Sequence, residues 1–105
     1  MEKEMITVTA YCTYHKIEPG FIYSLEKAGL IRLTSLEEEY YLLFEELKAV
    51  EQYTRLHYDL DINVEGIDAI HHLLDKIETL QTEIHHLKNR LLVYEMRYNL
   101  QSDHP

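Results

Sequence analysis

Hydrophobic positions along the chain change their spacing several times, and each change marks an element. Ile6-Thr7-Val8-Thr9 alternates and reads as a short extended segment, after which Thr9 is placed to cap a short helix from Ala10 to His15 with Tyr11 and Tyr14 on one face. Glu18-Pro19-Gly20 interrupts that pattern, and Pro19 suits the first turn of a new helix because its missing N–H is not needed there. Phe21, Ile22, Leu25 and Ala28 recur at helical spacing, Gly29 stops the helix as a left-handed cap, and Leu30-Ile31 packs beyond it. Two short helices, a tight turn and a glycine stop form a helix-turn-helix pattern. Ile31-Arg32-Leu33-Thr34 is β-prone, Glu37-Glu38-Glu39 is the tip of a turn, and Tyr40-Tyr41-Leu42-Leu43 returns as a second strand, which makes a wing-like hairpin. Phe44, Leu47, Val50, Tyr53, Thr54 and His57 trace a third helix; Asp59 to Asn63 ends it, and Asn63 is placed as the N-cap of a last one.

That last helix has the strongest periodicity. Ile70, Ile77, Ile84, Leu91 and Tyr98 recur every seven residues, and Leu73, Leu80, Leu87 and Tyr94 fill the positions between them. Ile at a and Leu at d describe a four-heptad coiled-coil seam. From Val64 to Leu100 the helix would be roughly 55 Å long, too long for a domain of this size to bury. Ile77, Leu80, Ile84, Leu87, Leu91 and Tyr94 are therefore expected to form a dimer seam. In a parallel pair Glu83 would attract Lys88, and Arg90 would attract Glu95, across chains; an antiparallel pair would make other contacts. The bland alternative is a bent helix folding back on its own domain. The predicted organisation is a winged helix-turn-helix with its third helix over 1–63 and a long helix for dimerisation or packing over 64–105.

Composition adds limits. The chain has 105 residues, and 19 acidic residues stand against 10 Lys plus Arg for a formal charge of −9. Residues 34–65 alone carry −7, with Lys48 and Arg55 against nine carboxylates, whereas residues 1–33 sum to zero. Nucleic-acid binders neutralise phosphates with Lys and Arg, so this balance argues against DNA and against an anionic membrane surface. A charge run is most often a solvated face; the sharper reading is a docking surface for a basic protein, centred on Glu37, Glu38, Glu39, Glu45 and Glu46 with Tyr40 and Tyr41. The longest apolar run, Tyr40 to Phe44, is far short of a membrane span. A single cysteine and an N-terminus without a signal-peptide pattern point to the cytoplasm.

Catalytic and metal signals are weak. His71-His72 and His85-His86 lie outside the seam, and adjacent helical histidines point about 100° apart, which suits no shared ion. Asp68 with His72 supplies two ligands, too few for structural zinc. Cys12 reads as a small core residue. There is no phosphate loop, nucleophile elbow or metalloprotease motif. Tyr11, Tyr23, Tyr53, Tyr94 and Tyr98 read as core or seam. No catalytic residue, metal or cofactor is expected, and the chain is not expected to be an enzyme.

Taken in order, these elements resemble the MerR superfamily, and within it the chaperone modulator CbpM family. The stretch from Leu60 to Ile70, followed by His71 to Ile77, is similar to the junction between that family's last two helices. Ala28-Gly29-Leu30-Ile31 resembles the end of MerR-like second helices, and Tyr53-Thr54-Arg55-Leu56-His57 resembles the third helix. The similarity runs from about Ile6 to Tyr94. It implies a mainly α fold, a MerR-like winged helix-turn-helix followed by a helix pair whose last helix is long and coiled-coil-like. MerR-like DNA binders carry Arg or Lys on the second helix and an Arg beside a Tyr in the wing; here the second helix has only Lys27, and the wing has three glutamates before Tyr40-Tyr41.

The resemblance implies a partner, the J-domain of a CbpA- or DnaJ-like co-chaperone, whose basic helix engages DnaK. A modulator covering that helix blocks stimulation of the DnaK ATPase. We expect a cytoplasmic, non-enzymatic homodimer that anchors this partner through Tyr40, Tyr41, Leu42 and Phe44 within an acidic rim. The rival expectations are a MerR-like DNA-binding transcriptional regulator and a plain coiled-coil assembly module.

Overall fold

A computed structural model of the chain describes residues 4–102. It is mainly helical with one small sheet: β1 Met5–Thr7, α1 Val8–His15, α2 Pro19–Lys27, β2 Thr34–Leu36, β3 Glu39–Leu43, a 3-10 turn Phe44–Glu46, α3 Leu47–Tyr58 and α4 Val64–Ser102. This is the expected winged helix-turn-helix with a long final helix. The chain divides into two compact units, residues 1–71 and 72–105.

In the first unit, α1 starts two residues earlier than the sequence suggests. Thr7, not Thr9, is the N-cap, and its Oγ1 accepts the Ala10 N–H at 3.1 Å. The reason is burial: Val8 is 1% exposed, so the core draws it into the first helical turn. The turn to α2 begins at Lys16, in the left-handed region at φ 57, and Pro19 opens α2. α2 ends on Gly29 at φ 79. The Leu30 N–H donates to the Leu25 carbonyl and the Gly29 N–H to the Glu26 carbonyl, both at 2.9 Å, and Leu25 and Leu30 are buried. This is a Schellman closure with its usual hydrophobic contact.

The sheet has strand order β1-β3-β2, all antiparallel. The second strand begins at Thr34, three residues later than the alternation at Ile31 implies, because Leu30 and Ile31 are consumed by the core. Val8, Tyr11, Cys12, Phe21, Ile22, Leu25, Leu42, Val50, Tyr53 and Ile67 join them there, and α1, α2, β3, α3 and the start of α4 all contribute. At the close of α3, the Nδ1–H of His57 donates to the Ile62 carbonyl at 2.8 Å, and its ring stacks on Phe21 with centroids 4.4 Å apart. The Tyr58 hydroxyl accepts the Glu18 N–H at 3.1 Å, which ties the end of α3 to the start of α2. The Asn63 Oδ1 accepts the Gly66 N–H at 2.8 Å and so caps α4. Tyr53 hydrogen-bonds through its hydroxyl to His71 Nδ1 at 3.0 Å.

The second unit is the remainder of α4, continuous helix throughout its described length. Residues 72–100 are exposed along the whole of it.

Candidate functional site

The wing is a two-residue hairpin. Leu36 and Glu39 face each other across the strands, and Glu37 and Glu38 form the loop. Both loop residues have positive φ, 49 for Glu37 and 68 for Glu38. Such turns favour Asn-Gly or Asp-Gly, since two consecutive left-handed positions strain residues with larger side chains. Glutamates in both positions are thus a local departure from turn chemistry, and both are exposed.

Strand alternation then separates the remaining wing residues. Leu42 is fully buried, and Tyr40, two residues away, shares its face. Tyr40 is 49% exposed and meets Tyr23 of α2 edge-on, ring centroids 5.6 Å apart. Tyr41 points to the other face, opposite Thr7 on β1 and Thr34 on β2, and its hydroxyl lies 3.5 Å from Glu39 Oε2 as donor. Leu42 therefore cannot serve as a surface anchor as the sequence suggested, and Tyr40 and Tyr41 do not form one patch. Tyr23, expected in the core, is 39% exposed. Phe44 is 48% exposed. Glu45 and Glu46 occupy the 3-10 turn that leads into α3, where a helix start favours negative charge. Glu45 is exposed and Glu46 half-buried.

The second helix presents Gly20, Tyr23, Ser24, Glu26 and Lys27 outward. Lys27 is the sole cation of α2, and neither β2 nor β3 contains Lys or Arg. A surface that grips phosphates needs several such groups.

Ionisable groups in the core are few. Burial raises the pKa of the Cys12 thiol. Burial also raises that of the Tyr11 hydroxyl, assisted by the Glu51 carboxylate and by Cys12. Both groups stay neutral at ordinary pH, and Cys12 is a buried free thiol. Among the described residues no group of three or more His, Cys, Asp or Glu is arranged to hold a metal ion. Among the described residues no helix is long and apolar enough to cross a membrane.

On α4, the six seam residues Ile77, Leu80, Ile84, Leu87, Leu91 and Tyr94 are all exposed. Leu92, Val93 and Met96 add apolar surface off the a and d positions.

With this geometry in place, residues 6–89 match the family described as MerR HTH family regulatory protein. The chain belongs to the MerR helix-turn-helix family. The match covers α1, α2, the wing, α3 and much of α4. No curated protein and no solved structure matches the chain significantly. Within a MerR domain, α2 and the wing are the elements whose surface chemistry is most informative here. Two features of that surface escaped the sequence reading. One is the contact of Tyr23 with Tyr40. The other is the outward row of Leu36, Tyr41 and Leu43. Period-two counting from Leu42 was the signal for the second, and the first had no local signal.

Proposed function

We propose that this MerR-family chain is a non-enzymatic modulator that binds the J-domain of a DnaJ- or CbpA-like co-chaperone and blocks its stimulation of DnaK. The observation that carries the reading is the wing tip. Glu37 and Glu38 hold the two left-handed positions of the turn, where Asn and Gly fit without strain, and Glu39 follows them. Residues kept against local preference point to a use outside the fold. Carboxylates on a wing repel a phosphate backbone and attract a basic helix. Their benefit is a faster encounter and exclusion of wrong partners. Inhibition follows by occlusion: the helix that engages DnaK is covered. The modulator acts in the cytoplasm, where its partner works, and two copies pair through the exposed α4 seam.

The test is DnaK ATPase stimulated by the cognate J-domain protein. Added chain lowers the stimulated rate to the basal one in a saturable way, and salt weakens the effect. A stimulated rate unchanged by excess chain overturns the reading.

A second reading, a DNA-binding transcriptional regulator, is favoured by the family description itself. It requires retention of promoter DNA in a gel shift at moderate salt. Absence of any shift at low salt removes it.

A further inference from the structure

The three-stranded sheet has one face on the core and one face turned away from it. Ile6 packs against the core and Leu42 belongs to it, so the face of Ile6 and Leu42 is the inner one. The register puts Met5 opposite Leu43, Thr7 and Thr34 opposite Tyr41, and Leu36 opposite Glu39, all on the other face. Met5, Tyr41 and Leu43 are half-buried without being among the hydrophobic residues that pack on the core, and Leu36 is 48% exposed. A solvated sheet face ordinarily carries polar side chains. This one carries a row of large apolar groups.

At its end the row runs into a shallow depression of about 200 Å³, lined by Glu4, Leu43, Phe44 and Glu45. The Phe44 N–H donates to the Glu4 carbonyl at 3.1 Å, which prolongs the β1–β3 ladder by one pair; the register puts that pair on the Ile6 and Leu42 side, so the depression wraps the end of the sheet from Leu43 of the row. Its lining residues are two apolar and two acidic ones. That suits a Lys or Arg, whose stem covers apolar surface while its charged head meets carboxylate oxygens. Glu37, Glu38 and Glu39 stand at the opposite end of the row, and β1, β2, the hairpin loop and β3 contain no Lys or Arg.

We propose that this outer sheet face, Leu36, Tyr41 and Leu43 with the Glu4–Phe44–Glu45 depression, docks a basic amphipathic helix. The helix lays its apolar side on the row and its cations at the two acidic ends. The proposal rests on the modulator reading above and specifies its contact surface, which is the back of the wing and not the α2 surface at Tyr23.

The test is titration of the intact chain with the J-domain of the cognate co-chaperone, with amide shifts followed by NMR. Leu36→Lys and the double variant Glu4→Gln/Glu45→Gln each weaken binding roughly tenfold, and the double variant also flattens the salt dependence. Tyr23→Ala and Lys27→Ala on α2 bind like the parent. Amide shifts concentrate at residues 4–7, 34–36 and 39–45. Thermal melting of each variant confirms that the fold is intact. If the parent binds but the sheet variants bind equally well, or if the shifts centre on residues 20–27, the docking face is overturned and the modulator reading stands. If the parent does not bind the J-domain at all, the modulator reading falls and takes this surface with it.

Discussion

Glu37 and Glu38 occupy consecutive left-handed positions at φ 49 and 68, two like charges side by side on a turn that favours Asn-Gly. Each non-glycine residue held there costs on the order of 1 kcal/mol. Replacing the pair by Asn-Gly is expected to raise stability by roughly 1–2 kcal/mol in urea unfolding, with an unchanged slope. On the proposed function, the same variant binds the J-domain more slowly at low salt. Higher stability together with slower association would separate the tip's structural cost from its functional gain.

Gly66 is a second position where local rules collide. A Cβ there would lie 2.7 Å from Ile62 Cγ2 and 3.1 Å from Asn63 Oδ1. Gly66→Ala ordinarily favours a helix by about 1 kcal/mol. Here overpacking of a branched side chain and disturbance of the cap outweigh it. The expected result is a net loss of about 1–2 kcal/mol, read as a lower urea midpoint. Asn63→Ala, which removes the capping acceptor alone, should cost about 1 kcal/mol.

Alkaline pH should weaken the fold through Cys12 and Tyr11. Burial raises both pKa values, so the native state holds each proton to a higher pH than the unfolded chain does. Their contribution is fully present below the unfolded values, about 8.5 for Cys and about 10 for Tyr, and is lost as pH rises above them. Urea midpoints are expected to fall between pH 8 and 9.5, and to fall less in Cys12→Ala. A thiol reagent at pH 8 should leave native Cys12 untouched and label it fully in urea.

The α4 seam gives a test of self-association. The parent chain is expected to run as a dimer in light scattering, and Ile84→Glu with Leu87→Glu as a monomer that retains its helix-turn-helix unit. In a parallel pair, Glu83→Lys weakens the dimer and Lys88→Glu restores it in the double variant. In an antiparallel pair that rescue does not occur.

The elements themselves were legible because each has a strong local signal: Pro19 and Gly29 bracket α2, Asn63 starts α4, and the Ile and Leu heptads run its length. Boundaries moved where burial overrode local propensity, as when Val8 joined α1 and Ile31 joined the core. The site was harder to read. Its acidic tip is plain in the sequence, but Tyr40, Tyr41 and Leu42 form one continuous apolar run, and only the strand register assigns them to different faces. The contact of Tyr23 with Tyr40 joins residues seventeen positions apart on a helix and a strand, and no local pattern announces it.

The adjacency of Tyr41 and Leu42 binds two fates together. Because successive strand residues alternate sides, a one-residue insertion or deletion between Glu39 and Leu43 would bring the outward row inside and turn Leu42 out. Such a change cannot alter how this wing meets a partner and spare the interior. Within β3, changes of the outer surface are therefore left to substitutions, because the strand's length is tied to the interior.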